Sequence, residues 1–276
     1  MEKAIQLIKN SSYIVSKETK KQIEQNIRAT LNYKNIRQII LLPEQTNLAN
    51  KTVCVALGII GWTLWTAMDR IRDKQDYSQN KLDRDLVTFS ILRPIIDDLL
   101  HQLNLTKLKF NQIRNIVGTM EYANSKFCKL HLRQQYILKS IGVAIPMLIF
   151  LMKNKASKKD TDLCYKYFYH LIGSRQLSDD ACDWHEDIKE GHKTLVTEWL
   201  IDNAGKNKSY REYIMSFCKT VSPKVANEIL WHSRLSRSYA RRMKFFKSTK
   251  FLEELPQFYE EMALRILAEC NKNKHK

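Results

Sequence analysis

The sequence predicts an all-α protein, a single large helical bundle over residues 1–276. Three observations point there. Apolar residues recur at helical spacing along most of the chain. Only seven glycines and five prolines punctuate 276 residues. No segment shows the alternating pattern bounded by turn residues that marks a strand or hairpin, and no repeat is present. A chain of this length can bury a substantial core.

Residues 1–30 read as one or two amphipathic helices broken near Ser11–Ser12. Tyr33–Leu42 is a further helix, ended by Pro43. Leu48–Asp73 is long and apolar and terminates in charge. Leu82–Leu103 follows, bent or restarted around Pro94, and Leu108–Lys129 is polar and amphipathic. Leu130–Lys153 reads as a long apolar helix kinked at Pro146. The run NKASKKD, Asn154–Asp160, is an exposed loop. Asp162–Glu190 is helical up to a stop at Gly191. Lys193–Asn203, Ser209–Cys218, Pro223–Lys247 and Phe251–Asn271 complete the set.

Two uncharged runs are long enough to raise the question of a membrane: Val53–Met68, sixteen residues, and Ile141–Met152, twelve. A span needs about 20 apolar residues, so both read as central helices of a soluble bundle. MEKAIQLIKN is too charged and too short in its apolar run for a signal peptide. The six cysteines, at 54, 128, 164, 182, 218 and 270, form no CxxC pair. A reducing, cytoplasmic compartment follows, with the thiols as small core residues. The net charge of +17 calls for an anionic partner. The excess is spread along the chain, and only Arg234–Lys250 concentrates it between aromatics. No nucleic-acid-binding motif accompanies that stretch, so nucleic acid is not expected. An anionic membrane surface and a phosphorylated ligand both fit the charge.

Against this basic background, residues 179–187 hold five carboxylates in nine positions: Asp179, Asp180, Asp183, Glu186 and Asp187. At 100° per residue, Asp179, Asp183 and Asp187 fall within roughly 80° of one helix face. Like charges at this spacing each cost a helix roughly 0.2–0.5 kcal/mol. A divalent cation with oxygen ligands would relieve the repulsion, whereas the plain reading is a solvated acidic stripe. A second pair, Asp69 and Asp73, stands one turn apart where the long apolar helix ends. Acids there oppose the helix dipole. That pair reads equally as a simple helix exit into KQDYSQN.

The sequence DDACD at 179–183, with Gln176 three residues before it, resembles the second aspartate-rich motif of trans-prenyl diphosphate synthases. The spacing of Asp183, Asp187 and Gly191 is also similar to the second motif of squalene and phytoene synthases. AMDRIRD at 67–73 resembles the first motif of that second group. Against the DDxxD of prenyl synthases, Arg70 stands where an aspartate belongs. KSIGVAIPMLIFL at 139–151 resembles the apolar mid-chain helix of the superfamily. NYKNIRQII at 32–40 is similar to its basic KxxR segment, with Lys34 and Arg37 as the matching cations.

The resemblance, over roughly residues 32–195, implies a class I isoprenoid synthase fold and a cluster of three Mg²⁺ ions. On that reading Asp69, Asp73, Asp179, Asp180, Asp183 and Asp187 are metal ligands, with Asp69, Asp73, Asp179 and Asp183 carrying catalysis. Gln176 is a hydrogen-bonding partner of the ligand carboxylates. Lys34, Arg37, Arg175, Lys193 and Arg242 are candidate diphosphate binders, Arg175 and Lys193 by proximity and Arg242 on the basic late helix beside Arg241. Trp62 and Trp65 line an apolar pocket or simply pack in the core. The implied substrate is an allylic prenyl diphosphate joined to a second isoprenoid unit. No RRG follows the first motif, no GKR precedes it, and the NSE motif of terpene cyclases is absent. A terpene cyclase and a binding protein that has lost turnover therefore stay open, as do a homodimer and peripheral contact with an anionic membrane.

Overall fold

The computed structural model describes residues 2, 5, 6, 10, 16–32, 34–73, 79–125 and 127–274. These are helical throughout their ordered elements, with no strand among them. The helices are α1 (Lys17–Leu31), α2 (Lys34–Ile40), α3 (Lys51–Asp73), α4 (Gln79–Gln102), α5 (Lys107–Ala123) and α6 (Leu132–Leu138). They continue as α7 (Ile145–Lys153), α8 (Lys158–Glu190), α9 (Leu195–Ala204), α10 (Tyr210–Ser216), α11 (Ser222–Arg242) and α12 (Lys250–Lys274). The chain divides into two compact units, Met1–Ile116 with Gly142–Ser157, and Val117–Ile141 with Lys158–Lys276.

The first unit is built on α3, against which α1, α4 and α7 pack. Its stretch Lys51–Met68 is long and apolar enough to cross a membrane. Those apolar residues are nevertheless used inside the unit: Cys54, Val55, Ala56, Ile59 and Ile60 are fully buried. Asn26 Nδ2 donates to Thr88 Oγ1 at 2.9 Å, tying α1 to α4. Helix α4 runs through Pro94 without interruption. The segment expected as one kinked helix over Leu130–Lys153 is instead broken: α6 ends at Leu138, a 3₁₀ turn spans Ile141–Ala144, and α7 begins at Ile145. Pro146 stands in the first turn of α7, where its missing N–H removes no intrahelical bond.

The second unit is organised by α8, 33 residues long and so about 50 Å from end to end. Helix α11 packs antiparallel to it and α12 parallel. Contacts from one end to the other show this: Lys244 N donates to Asp160 Oδ1 (2.7 Å), Ser236 Oγ to the Tyr167 carbonyl (3.0 Å), and Ser174 Oγ meets Ser233 Oγ (3.0 Å). On the α12 side, the Tyr167 hydroxyl donates to the Leu252 carbonyl at 2.9 Å. Small side chains allow the close approach, Ser174, Ser233, Ser236 and Ala240 all being fully buried. Helix α8 stops at Gly191, whose φ of +74° is the left-handed geometry that glycine adopts without strain. Helix α11 ends at Arg242, five residues short of the expected Lys247, because Met243 turns extended.

Gly173 is the tightest point of the α8–α11 contact. A Cβ there would lie 2.6 Å from the His232 ring. That ring cannot swing aside, since Tyr136 Oη holds its Nε2 at 2.9 Å and His170 Nδ1 faces its Nδ1 at 2.9 Å. An alanine in a helix interior ordinarily gains about 1 kcal/mol over glycine. Gly173→Ala is expected to reverse that sign and destabilise by about 1–3 kcal/mol through overpacking. Thermal unfolding followed by circular dichroism reads the effect, and a raised midpoint would contradict the contact.

Candidate functional site

The acidic stretch lies in the C-terminal half of α8, within the second unit. Helical spacing places Gln176, Asp180, Asp183 and Asp187 within roughly 60° of one another, with Asp179 at their edge. Asp180 is the most buried of the four aspartates of the acidic face, at 6% exposed, and its Oδ2 has no hydrogen-bond partner. Asp179 and Asp187 are partly buried and Asp183 is exposed. The face is therefore graded, from a dry carboxylate to a wet one.

A corner between α6 and the following 3₁₀ turn sits against this face. Asn124 Nδ2 donates to the Lys139 carbonyl at 3.0 Å, and Ser140 Oγ donates to Gln176 Oε1 at 3.3 Å. Gln176 Oε1 also accepts from Arg175 Nη1 at 3.0 Å, and Arg175 Nη2 pairs with Asp179 Oδ2 at 2.9 Å. A chain thus runs Ser140–Gln176–Arg175–Asp179. Gln176 orients the guanidinium that faces a candidate ligand.

Burial dominates the electrostatics. Desolvation pushes Asp180 up to about 7; the Lys139 ammonium pulls it down, and Asp187, Asp179 and Asp183 push it further up. Asp179 is raised by burial, against the opposing pull of Arg175 and Lys139. Asp187 is raised by burial too, and a hydrogen bond from His192 opposes the rise. His192 Nδ1 lies 3.5 Å from Asp187 Oδ1. Lys139 acts on three of the four aspartates.

Other expected residues sit elsewhere. Lys193 is exposed and pairs with Glu198 at 2.6 Å. Arg242 lies at the opposite end of α8, where α11 runs back toward Asp160; the rise of 1.5 Å per residue puts it roughly 25 Å along the axis from Asp179. It is exposed and lies over the Tyr239 ring at 5.6 Å. Arg241 pairs with Glu253, and Arg234 and Arg237 with Glu260. Much of the basic stripe on α11 is thus matched by α12. Asp69 and Asp73 stand on the last turns of α3, and Lys34 opens α2, all in the first unit; their side chains lie outside the described residues. Arg37, on α2, is exposed.

Lys139, Ser140 and His192 were not singled out in the sequence. Lys139 and Ser140 open the KSIGVAIPMLIFL run, where their neighbours are apolar and only the fold shows which way they face. Tyr136, His232 and His170 are another group without a sequence signal. Burial lowers His170 to about 4 and His232 to about 3, so both are neutral at pH 7.

The donor set is all oxygen, which suits Mg²⁺. Asp180 Oδ2 is buried and has no hydrogen-bond partner. Among the described residues, no three Asp, Glu, His or Cys side chains gather closely enough to form a ready metal cage. Mg²⁺ does not require one, because it is commonly held by one or two carboxylates, waters and substrate phosphate. The residues fit such an ion as ligands to a metal–diphosphate complex.

No family model matches the sequence, and no curated protein does. Solved structures match along nearly the whole chain. A geranylgeranyl pyrophosphate synthetase from the archaeon Geoglobus acetivorans superposes with a TM-score of 0.70 at 13% identity, covering 94% of each chain. A decaprenyl diphosphate synthase from Rhodobacter capsulatus gives 0.69 at 10% identity, covering 98% of this chain and 96% of the other. A geranylgeranyl pyrophosphate synthase gives 0.63 at 13% identity, covering 93% and 94%. With helices throughout and these structural likenesses, the chain has the isoprenoid-synthase fold, the all-α architecture of the trans-prenyl diphosphate synthases.

Proposed function

We propose that the protein is a Mg²⁺-dependent prenyltransferase that ionises an allylic prenyl diphosphate and joins the prenyl group to a second isoprenoid. The observation that carries this reading is the buried Asp180, whose Oδ2 has no hydrogen-bond partner, in a graded acidic face within the field of Lys139, on this fold. Asp179, Asp180, Asp183 and Asp187 would hold Mg²⁺ from α8, and Asp69 and Asp73 are proposed as the ligands from α3. Bound Mg²⁺ supplies the positive charge that makes diphosphate a workable leaving group.

The remaining work falls to the chain itself. Arg175, fixed by Gln176, holds Asp179 and adds its charge beside the proposed diphosphate site. Lys139 adds a point charge at the same face, and Lys193 is a further candidate at the helix end. The C1–O bond of the allylic substrate breaks with its electron pair leaving on the diphosphate. The alkene of the second isoprenoid then forms a C–C bond to the allylic carbon, and a proton is lost from the adjacent carbon to the departing diphosphate. The cation must be kept from water, for which the mechanism calls on an apolar pocket. The same proposal includes a cytoplasmic location, a homodimer and peripheral contact with an anionic membrane, the last in keeping with the charge of +17.

A second reading, a binding protein that has lost turnover, is favoured by Arg70 in the first motif. Calorimetry with Mg²⁺ and a non-hydrolysable diphosphate analogue separates the two when combined with turnover. Absence of Mg²⁺-dependent binding of the analogue supports the second reading.

Asp179→Ala and Asp183→Ala are each expected to lower Mg²⁺-dependent diphosphate release from farnesyl or geranylgeranyl diphosphate by about 100-fold or more, the scale of losing one preorganised electrostatic partner. Full activity in either variant would refute the ligand assignment. Product analysis with and without isopentenyl diphosphate tests the reaction type. A cyclic hydrocarbon formed from the allylic substrate alone would make the protein a cyclase.

The raised Asp180 also gives a pH signature. Its folded value of about 7 lies above the ordinary aspartate value near 3.9. The native state therefore binds the proton more tightly. The associated stability is complete below about pH 4 and is lost as pH rises through about 7. In metal-free buffer, Asp180→Asn is expected to leave stability unchanged at pH 4 and raise it by roughly 2–4 kcal/mol at pH 8. Urea unfolding at the two pH values measures this, and a pH-independent difference would show that Asp180 is not held neutral.

A further inference from the structure

A cavity of about 790 Å³ lies in the second unit on another side of α8. Ser178, Ala181 and Cys182 face it, and these positions stand roughly 100–160° round the helix from Asp180. Its remaining wall comes from α11, α12 and the turn that joins α10 to α11. That turn, Phe217–Val221, is a π-helix, in which the Ser222 N–H reaches back five residues to the Phe217 carbonyl. Pro223 explains the widening, because its ring would crowd the carbonyl four residues earlier in a regular helix. The wider turn brings three successive residues, Phe217, Cys218 and Lys219, to the cavity wall. Single π turns of this kind recur at functional sites.

The lining is apolar at depth and carries one charge. Val225 and Ile229 are buried, and Met262 and Phe217 add polarizable surface. The two hydroxyls turn to sulfur: Ser178 Oγ donates to Met262 Sδ at 3.6 Å, and Ser222 Oγ meets Cys270 Sγ at 3.8 Å. Among the described lining residues Lys219, which is exposed, is the charged one. An apolar space with a cation at its rim selects an apolar body with an anionic end. The volume falls within the roughly 300–1,000 Å³ of pockets that enclose a small organic ligand.

We propose that this cavity binds a single-chain amphiphile, its apolar chain along Val225, Ile229 and Met262 and its anionic head at Lys219. The site needs no metal and is separate from the acidic face, although both use the same two turns of α8. Chain and head could come from a fatty acid or from an isoprenoid phosphate, since both present this chemistry.

Three of the six cysteines, Cys182, Cys218 and Cys270, line the cavity, whereas Cys128, partly exposed, does not. They provide a built-in reporter. The full chain is labelled with N-ethylmaleimide in EDTA, with or without palmitate or farnesyl diphosphate, and each cysteine is followed by mass spectrometry. At ten times the dissociation constant a ligand leaves about one site in eleven free, so labelling of Cys182 and Cys218 is expected to slow about tenfold while Cys128 is unchanged. Protection by palmitate assigns an acyl ligand, and protection by farnesyl diphosphate a prenyl one. Lys219→Glu, at an exposed position, is expected to weaken protection at least tenfold, and Ile229→Trp to abolish it by filling the cavity. Unchanged labelling of the cavity thiols with both ligands overturns the proposal. The EDTA makes this outcome independent of the Mg²⁺-dependent reaction.

Discussion

Taking a carboxylate out of water costs several kcal/mol unless a charge or a proton compensates it. Helix α8 does this at Asp180 while carrying Asp179, Asp183 and Asp187 within two further turns. Much of the second unit follows from how that cost is met. The proton is retained to about pH 7, Lys139 is brought against the face, and Arg175 is locked to Asp179 through Gln176. Each compensation is partial. Within the described residues the acidic face stays short of positive charge.

The positive excess of the chain is distributed by the same logic. On α11 the arginines at 234, 237 and 241 are matched by Glu253 and Glu260 of α12, which makes them structural. Lys139 has no carboxylate within ion-pairing distance among the described residues, yet its field reaches three aspartates. Lys219 is set at a cavity rim. The net charge of +17 is thus a sum of unlike roles, and composition alone does not separate them.

What could be read from the sequence depended on the range of the interaction. Helix α3 and the acidic helix α8 were legible because their apolar spacing and charge pattern are local properties. Gly191 as a stop was legible for the same reason. Pro94 and Pro146 carry the same local signal, yet α4 runs through the first and α7 begins at the second, since only surrounding packing decides. The π turn at Phe217–Val221 was not foreseen, although Pro223 was its visible cause. The aspartates of the acidic face were found by spacing. Lys139 reaches them across some forty residues of sequence, which no local pattern shows, and the basic helix that carries Arg242 does not bring it near them.

The Tyr136–His232–His170 chain has a property that follows from counting protons. With both histidines neutral, the 2.9 Å contact between their Nδ1 atoms holds one hydrogen, which belongs to one ring or the other. If His232 owns it, its Nε2 is bare and accepts from the Tyr136 hydroxyl. If His170 owns it, His232 carries its hydrogen on Nε2 and donates to the same oxygen. The two arrangements share every heavy-atom position and point every dipole in opposite directions. The second unit therefore contains a polarity that can be inverted without moving an atom other than hydrogen.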